Sequence, residues 1–186
     1  MPLVVVYDAN VLYPSTLRDV LVRVGLARLV QPKWTEQILD EVFDNLRANR
    51  PELDPARLAR TRDLMNASLR DVVVTGYERY IRQIELPDPD DRHVVAAAIR
   101  ARMQVIVTKN LRDFPAGALS RWGIRAQHPD GFLSDLHRDH PRVLPEIVDA
   151  IAGAWRDPQA EPEQVLERFA VDTPRTVALL RDLRHG

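Results

Sequence analysis

Short apolar runs alternate with helically spaced apolar stripes through the first two thirds of the chain. Leu3-Val4-Val5-Val6-Tyr7, closed by Asp8, has no polar alternation, which predicts a short strand buried on both faces. Ser15 or Thr16 can cap a helix running to about Val30, with Leu17, Val20, Leu21, Val24 and Leu29 as its apolar side. Pro32 breaks the chain, and Thr35 caps a second helix in which Leu39, Val42, Phe43 and Leu46 recur until Asn49-Arg50-Pro51 ends it. Asp54-Pro55 opens a third helix as an N-cap followed by proline at the first helical position. Val72-Val73-Val74 reads as a strand, Asp88-Pro89 opens a helix through Met103, and Val105-Ile106-Val107 is another strand. Gly123-Ile124-Arg125-Ala126 is placed at a sheet edge. The alternation predicts an α/β fold, with a mostly parallel central sheet of four to five strands flanked by helices.

From about Pro129 the strand pattern stops. Leu144, Ile147, Val148, Ile151 and Trp155 form one helical stripe, Val165, Leu166 and Phe169 another, and Val177, Leu180 and Leu183 a last one. The organisation expected is an α/β unit over residues 1–128 and an all-helical extension over 129–186, divided near 128–131. The extension's stripes must be covered by the α/β unit, a second copy or another protein; packing within the chain is the simplest solution.

Composition narrows the classes. Hydrophobic residues at 45% of the 186 are enough for a core, which excludes a globally disordered chain. Cysteine is absent, which excludes disulfide scaffolds and thiolate zinc sites. The N-terminus carries no basic region, and its apolar run is too short for a signal or a membrane span. The expectation is a soluble, cytoplasmic protein. A formal net charge of -1 argues against a protein that coats duplex DNA. Lys33 and Lys109 are the only lysines among 26 basic residues. A GC-rich genome is the ordinary explanation, although arginine forks also suit phosphate.

Acidic residues then stand out at four places. Asp8 follows the first strand, and ligand sites in parallel sheets open at the carboxyl ends of strands. A carboxylate there is costly to desolvate unless it meets a cation; the everyday alternative is a turn in which Asp8 and Asn10 satisfy backbone amides. On the second helix, Asp40 shares the charged face with Glu36 and Asp44, whereas Glu41 lies beside Trp34, Ile38 and Asn45 at the edge of the apolar stripe. Glu41 is therefore the one expected to point into a cleft. In Asp88-Pro89-Asp90-Asp91-Arg92-His93, capping accounts for Asp88 and part of Asp90, which leaves Asp91 for the cleft. His93 is read as a surface residue, with phosphate contact as the alternative. Finally, Thr108-Lys109-Asn110-Leu111-Arg112-Asp113-Phe114 follows a strand as Asp8 does. If those two strands are parallel neighbours, Thr108 and Asn110 converge on Asp8. Three or four carboxylates at one sheet edge, with few histidines, favour Mg²⁺ or Mn²⁺ over zinc.

Four segments together resemble the PIN-domain nucleases, in particular the VapC-like toxins of bacterial toxin–antitoxin pairs. They are Val-Val-Tyr-Asp-Ala-Asn-Val-Leu (5–12), Ile-Leu-Asp-Glu-Val (38–42), Asp-Pro-Asp-Asp-Arg-His-Val-Val-Ala-Ala-Ala-Ile (88–99) and Val-Thr-Lys-Asn-Leu-Arg-Asp-Phe (107–114). The similarity extends over roughly residues 3–127. It implies a PIN-like fold in which Asp8, Glu41, Asp91 and Asp113 form the catalytic, metal-binding acids, with Asn10 and Thr108 as supporting polar residues. Many relatives carry an aspartate where this chain has Asn110, so either Asp113 supplies the fourth acid or Asn110 acts as a neutral ligand.

What the resemblance implies is a Mg²⁺-dependent endoribonuclease, with Mn²⁺ as a substitute ion, leaving a 5′-phosphate and a 3′-hydroxyl. Lys109, Arg112 and Arg92 lie near the expected cleft and are candidates for contact with the RNA backbone. A cognate antitoxin is the expected partner, and a homodimer the default assembly. Two other classes compete. An inactive PIN-like module would act by binding protein or RNA, since fold does not fix function. An aspartate-nucleophile phosphatase would also place an aspartate after its first strand, but the second acid of its Asp-x-Asp arrangement is here Asn10.

Overall fold

The structure, a computed structural model, describes residues 1–156 and 158–185. Strand β1 (Leu3–Tyr7) leads through a one-turn helix α1 (Ala9–Leu12) into α2 (Ser15–Leu26), and β2 (Val30–Lys33) follows. Then come α3 (Glu36–Asn49), α4 (Pro55–Ser68), the short α5 (Glu78–Ile81), α6 (Arg92–Arg100), β3 (Val105–Val107), α7 (Ala116–Leu119) and β4 (Arg125–Gln127). The remainder is helical: α8 (Pro129–Asp139), α9 (Val143–Ala154), α10 (Pro162–Phe169) and α11 (Pro174–His185).

The sheet has four strands, all parallel, in the order β2-β1-β3-β4. Val5 pairs with Pro32 on one side and Val105 on the other, so β1 is central. Val5, Val6 and Tyr7 are fully buried, as a strand covered on both faces requires. The α/β architecture and helical C-terminal region expected from the pattern are present.

Several boundaries differ. Helix α2 ends at Leu26, because residues up to Val30 turn back into β2, a strand that the proline in Val30-Gln31-Pro32-Lys33 concealed. Proline is tolerated there because β2 is an edge strand, where one side needs no ladder bond. Val72-Val73-Val74 is not a sheet strand: Val73 makes a single parallel bridge to Trp34. The helix expected from Asp88 to Met103 begins as a 3-10 turn, Pro89–Asp91, and stops at Arg100. The edge strand expected at 123–126 sits at Arg125–Gln127, starting two residues later and ending one later.

Edge strand β2 is seated closely on α2. A Cβ on Gly25 would lie 2.5 Å from the Pro32 Cγ and 2.8 Å from its Cδ. A rigid ring cannot yield as a flexible side chain would. Gly25→Ala is expected to cost about 1–3 kcal/mol through overpacking, read in a thermal melt as a Tm lowered by roughly 2–4 °C per kcal/mol in a chain this size. A wild-type Tm would contradict this seating.

The extension packs on the α/β unit. Helix α9 lies against α2, α10 contacts both α2 and α9, and α8 pairs with α11. The Phe132 ring of α8 meets the Tyr7 ring of β1 edge-on, 6.3 Å between centroids. Phe132, Ile151, Leu166 and Phe169 belong to the same buried cluster as Val5, Val6 and Leu21.

Candidate active site

The carboxyl ends of β1 and β3 build the floor of a cleft. Each ladder continues one residue past its strand: the Asp8 N–H donates to the Val107 carbonyl at 3.1 Å and the Thr108 N–H to that of Gln127 at 3.0 Å. Register thus sets Asp8 beside Thr108. Extended backbone at Asp8 lets its side chain cap α1, one oxygen accepting from Ala9 N–H at 2.8 Å. The other accepts from the Thr108 hydroxyl at 2.8 Å and the Asn10 amide at 3.0 Å. Asn10 also donates to Thr108 Oγ1 and accepts the Lys109 N–H, each at 3.0 Å. Thr108 is fully buried, and its hydroxyl accepts from the Asn110 N–H at 3.1 Å as well. With one donor and two acceptor positions used, Thr108 is a brace and has no capacity left for a ligand. Asn10 likewise orients Asp8.

Asp8 is 5% exposed. Burial holds its carboxyl above the usual range, opposed by the hydrogen bonds from Thr108 and Ala9; Glu41 raises it further and His93 lowers it. Facing it from α3 is Glu41, half-buried, while Asp40 is exposed and tied to Arg62 at 2.6 Å. Asp8, Asn10, Tyr13, Glu41, Asp91 and Lys109 are among the residues lining the cleft, a cavity of about 530 Å³.

A second group of acids closes the opposite wall. Carboxylate oxygens of Asp88, Asp91 and Asp113 lie within 4.8 Å of one another. Asp91 is the pivot: its carboxyl is pushed up to about 6, first by burial and then by Asp8, Asp88 and Asp113, with His93 opposing. Asp88 does cap the 3-10 turn, accepting the Asp90 N–H at 2.9 Å. A carboxylate oxygen of the same Asp88 lies with the cluster, so a cap and a site residue are not exclusive. That is the functional candidate which the sequence reading spent on capping alone. Asp113 is steadied by Asn110, whose amide donates to Asp113 Oδ2 and whose carbonyl accepts the Asp113 N–H at 3.3 Å.

One basic candidate, His93, is placed differently from expectation. His93 is not on the surface: it is 3% exposed, with Nε2 2.7 Å from Glu41 Oε1. That contact is bent outside hydrogen-bond geometry, and neither ring nitrogen has an aligned partner among the described residues. Its side chain faces inward, against Glu41 of α3, a contact that a reading of local capping cannot see. Lys109 lines the cleft as expected, with its ammonium paired with Asp172 of the extension. Arg92 is half-buried, and Arg112 is exposed.

Chemically, this is an all-oxygen set of mutually repelling carboxylates held by backbone and side-chain donors. Such a set fits a hard divalent cation, which would replace like-charge repulsion by shared attraction. Among the described residues no helix is long and apolar enough to cross a membrane.

Comparison with known proteins gives two matched segments. Residues 4–112 match the PIN domain, and residues 129–182 match the VapC50 C-terminal domain. One curated protein, named "Putative ribonuclease VapC50" in Mycobacterium tuberculosis, is 39% identical over 93 residues. That alignment covers 50% of this chain and 55% of the relative, about half of each. No solved structure matches.

Proposed function

We infer from the PIN-domain family, to which this chain belongs, that it is a metal-dependent endoribonuclease and the toxin of a toxin–antitoxin pair. The observation that carries the reading is the gathering of Asp88, Asp91 and Asp113, with carboxylate oxygens within 4.8 Å, joined through Asp91 to the cleft that Asp8 and Glu41 line. A cation entering there would relieve that repulsion. The VapC50-type segment over 129–182 supports the toxin assignment, and a cognate antitoxin is the partner proposed. A cytoplasmic location follows from that role.

Asp8, Glu41, Asp91 and Asp113 would hold Mg²⁺ or Mn²⁺, with Asp88 adjoining. The ion would supply Lewis-acid polarisation of a phosphodiester and a more acidic bound water. The chain's own residues set the stage for it. Asn10 and Thr108 fix Asp8 through donated hydrogen bonds, and Asn110 fixes Asp113. Arg112 and Arg92 are the side chains proposed for the RNA backbone, contacts that position a strand without reading its sequence. Lys109 acts otherwise, as argued below.

The test combines cleavage with pH. RNA incubated with the purified chain and Mg²⁺ is expected to yield fragments bearing 5′-phosphates, and EDTA to stop the reaction. The Asp91 carboxyl titrates near 6 in the folded chain against 3.8 in its ordinary state. A raised carboxyl contributes stability below the ordinary value and loses it as pH rises through about 6. In EDTA the melting temperature should therefore include a component that falls between those limits. Metal must displace the Asp91 proton, so millimolar Mg²⁺ should raise Tm at pH 7.5 far more than at pH 5. A pH-independent metal response, or cleavage undiminished by EDTA, would remove the metal reading.

A further inference from the structure

The helical extension touches the candidate site through one ion pair. Among the described residues, Lys109–Asp172 is the only salt bridge joining residues up to 128 to the extension. Asp172 lies in the turn between α10 and α11, its side chain 12% exposed, with the Lys109 side chain at 31%. A carboxylate that desolvated is strongly disfavoured without its counter-charge. Swinging Lys109 away to an incoming phosphate would leave Asp172 in that condition. The pair is a fixed link and not a reserve of positive charge for RNA.

Both ends of the link are anchored. On the extension side, the N–H groups of Asp172 and Thr173 donate to the Phe169 carbonyl at 3.3 and 3.1 Å, and the Thr173 hydroxyl donates to it at 2.8 Å. Phe169 and Thr173 are fully buried. Two residues on, Asp130 of α8 accepts the N–H groups of Arg175 and Thr176 at 3.0 and 2.8 Å. The turn that presents Asp172 is therefore tied to three helices of the extension. On the other side, Lys109 is the second residue of the loop 108–113, which carries Thr108, Asn110 and Asp113. Its own N–H is held by Asn10. Beyond Lys109 that loop is exposed at Asn110, Leu111 and Arg112, so little buried packing restrains it before Phe114 enters the core.

We propose that Asp172 is a positioning residue for the metal-binding loop: by holding Lys109 it lets the extension set where Thr108, Asn110 and Asp113 stand relative to Asp8 and Asp91. The proposal rests on the metal reading above. It gives the extension a part in the site that packing alone would not. It also predicts an effect opposite to plain electrostatics. Lys109→Met removes a positive charge beside the cleft and by charge alone should tighten Mn²⁺ binding, whereas by loosening the loop it should weaken it.

The experiment titrates Mn²⁺ alone into the full chain, counting free ion by its EPR signal, with melting in EDTA alongside. Asp172→Asn is expected to weaken Mn²⁺ binding by about tenfold, the lower edge of what loss of an orienting partner costs a metal site, with a smaller change in metal-free Tm. Asp172→Glu, which keeps the charge, should recover most of the affinity, and so should the exchanged pair Lys109→Asp with Asp172→Lys. Asp172→Asn binding Mn²⁺ as the wild type does would overturn the proposal, as would a fall in Tm with no change in affinity, the signature of a mere staple. A wild-type chain that takes up no Mn²⁺ would instead overturn the metal reading, and this proposal with it.

Discussion

Asp8→Asn is expected to lower the rate of RNA cleavage by about a thousandfold or more, since several kcal/mol of metal-borne stabilisation correspond to that factor. The same variant should lose the Tm rise on adding Mg²⁺. Its metal-free fold should change far less, because two effects oppose. Asparagine removes a nearly buried charge that Glu41 repels. It also turns a doubly accepting oxygen into an amide donor, facing the Asn10 amide that now donates to it. Asn10 cannot simply turn over, as its carbonyl holds the Lys109 N–H. A charge-assisted hydrogen bond is worth about 1.5–3 kcal/mol, comparable with the repulsion relieved, so metal-free Tm should shift by a few degrees at most. Asp40→Asn is the control one position from Glu41. Asp40 is exposed and pairs with Arg62, so its loss should leave cleavage at the wild-type rate. An Asp8→Asn chain that still cut RNA at that rate and still responded to Mg²⁺ would refute the assignment of Asp8.

What the sequence made legible here was whatever depends on short range. The run ending at Asp8 and the run ending at Thr108 each announced a buried parallel strand, and two such strands side by side must bring their ends together. Helical periodicity was enough to separate Glu41 from Asp40. Residues were misread where a local explanation looked complete. Asp88 had a cap to make, and its place beside Asp113 is set by the fold and not by the local motif. His93 stood in the first turn of a helix, ordinarily a wet position, and only the fold buries it and brings Glu41 of α3 against it. Lys109 looked like a free cation because its partner lies 63 residues further along the chain. Strand β2 was lost to a proline, which inside a strand reads as a break although a sheet edge tolerates it. In each case the deciding contact was long-range, and composition or spacing near the residue carries no trace of it.

Cutting the chain after residue 128 is expected to abolish cooperative folding, although the sequence matches fall into two segments on either side of residues 113–128. Matching segments are units of descent, and the unit of stability is the buried core. That core is continuous: Phe132, Leu133, Ile147, Ile151, Val165 and Phe169 of the extension lie in one cluster with Val5, Tyr7, Leu17 and Leu21. Without 129–186, α2 loses both α9 and α10 from its outer side, and Tyr7 of the central strand loses Phe132. Exposed apolar surface costs about 25 cal/mol per Å², and each fully buried large side chain returned to water forfeits about 1.5–3 kcal/mol. Several such losses together exceed the roughly 5–15 kcal/mol that holds a domain folded. The 1–128 fragment should thus be insoluble, or soluble with ANS binding and no sharp melt. A fragment melting cooperatively within a few degrees of the full chain would show that the α/β unit carries its own core. The extension's covering of α2 would then be dispensable, and only the Asp172 link would tie it to the site.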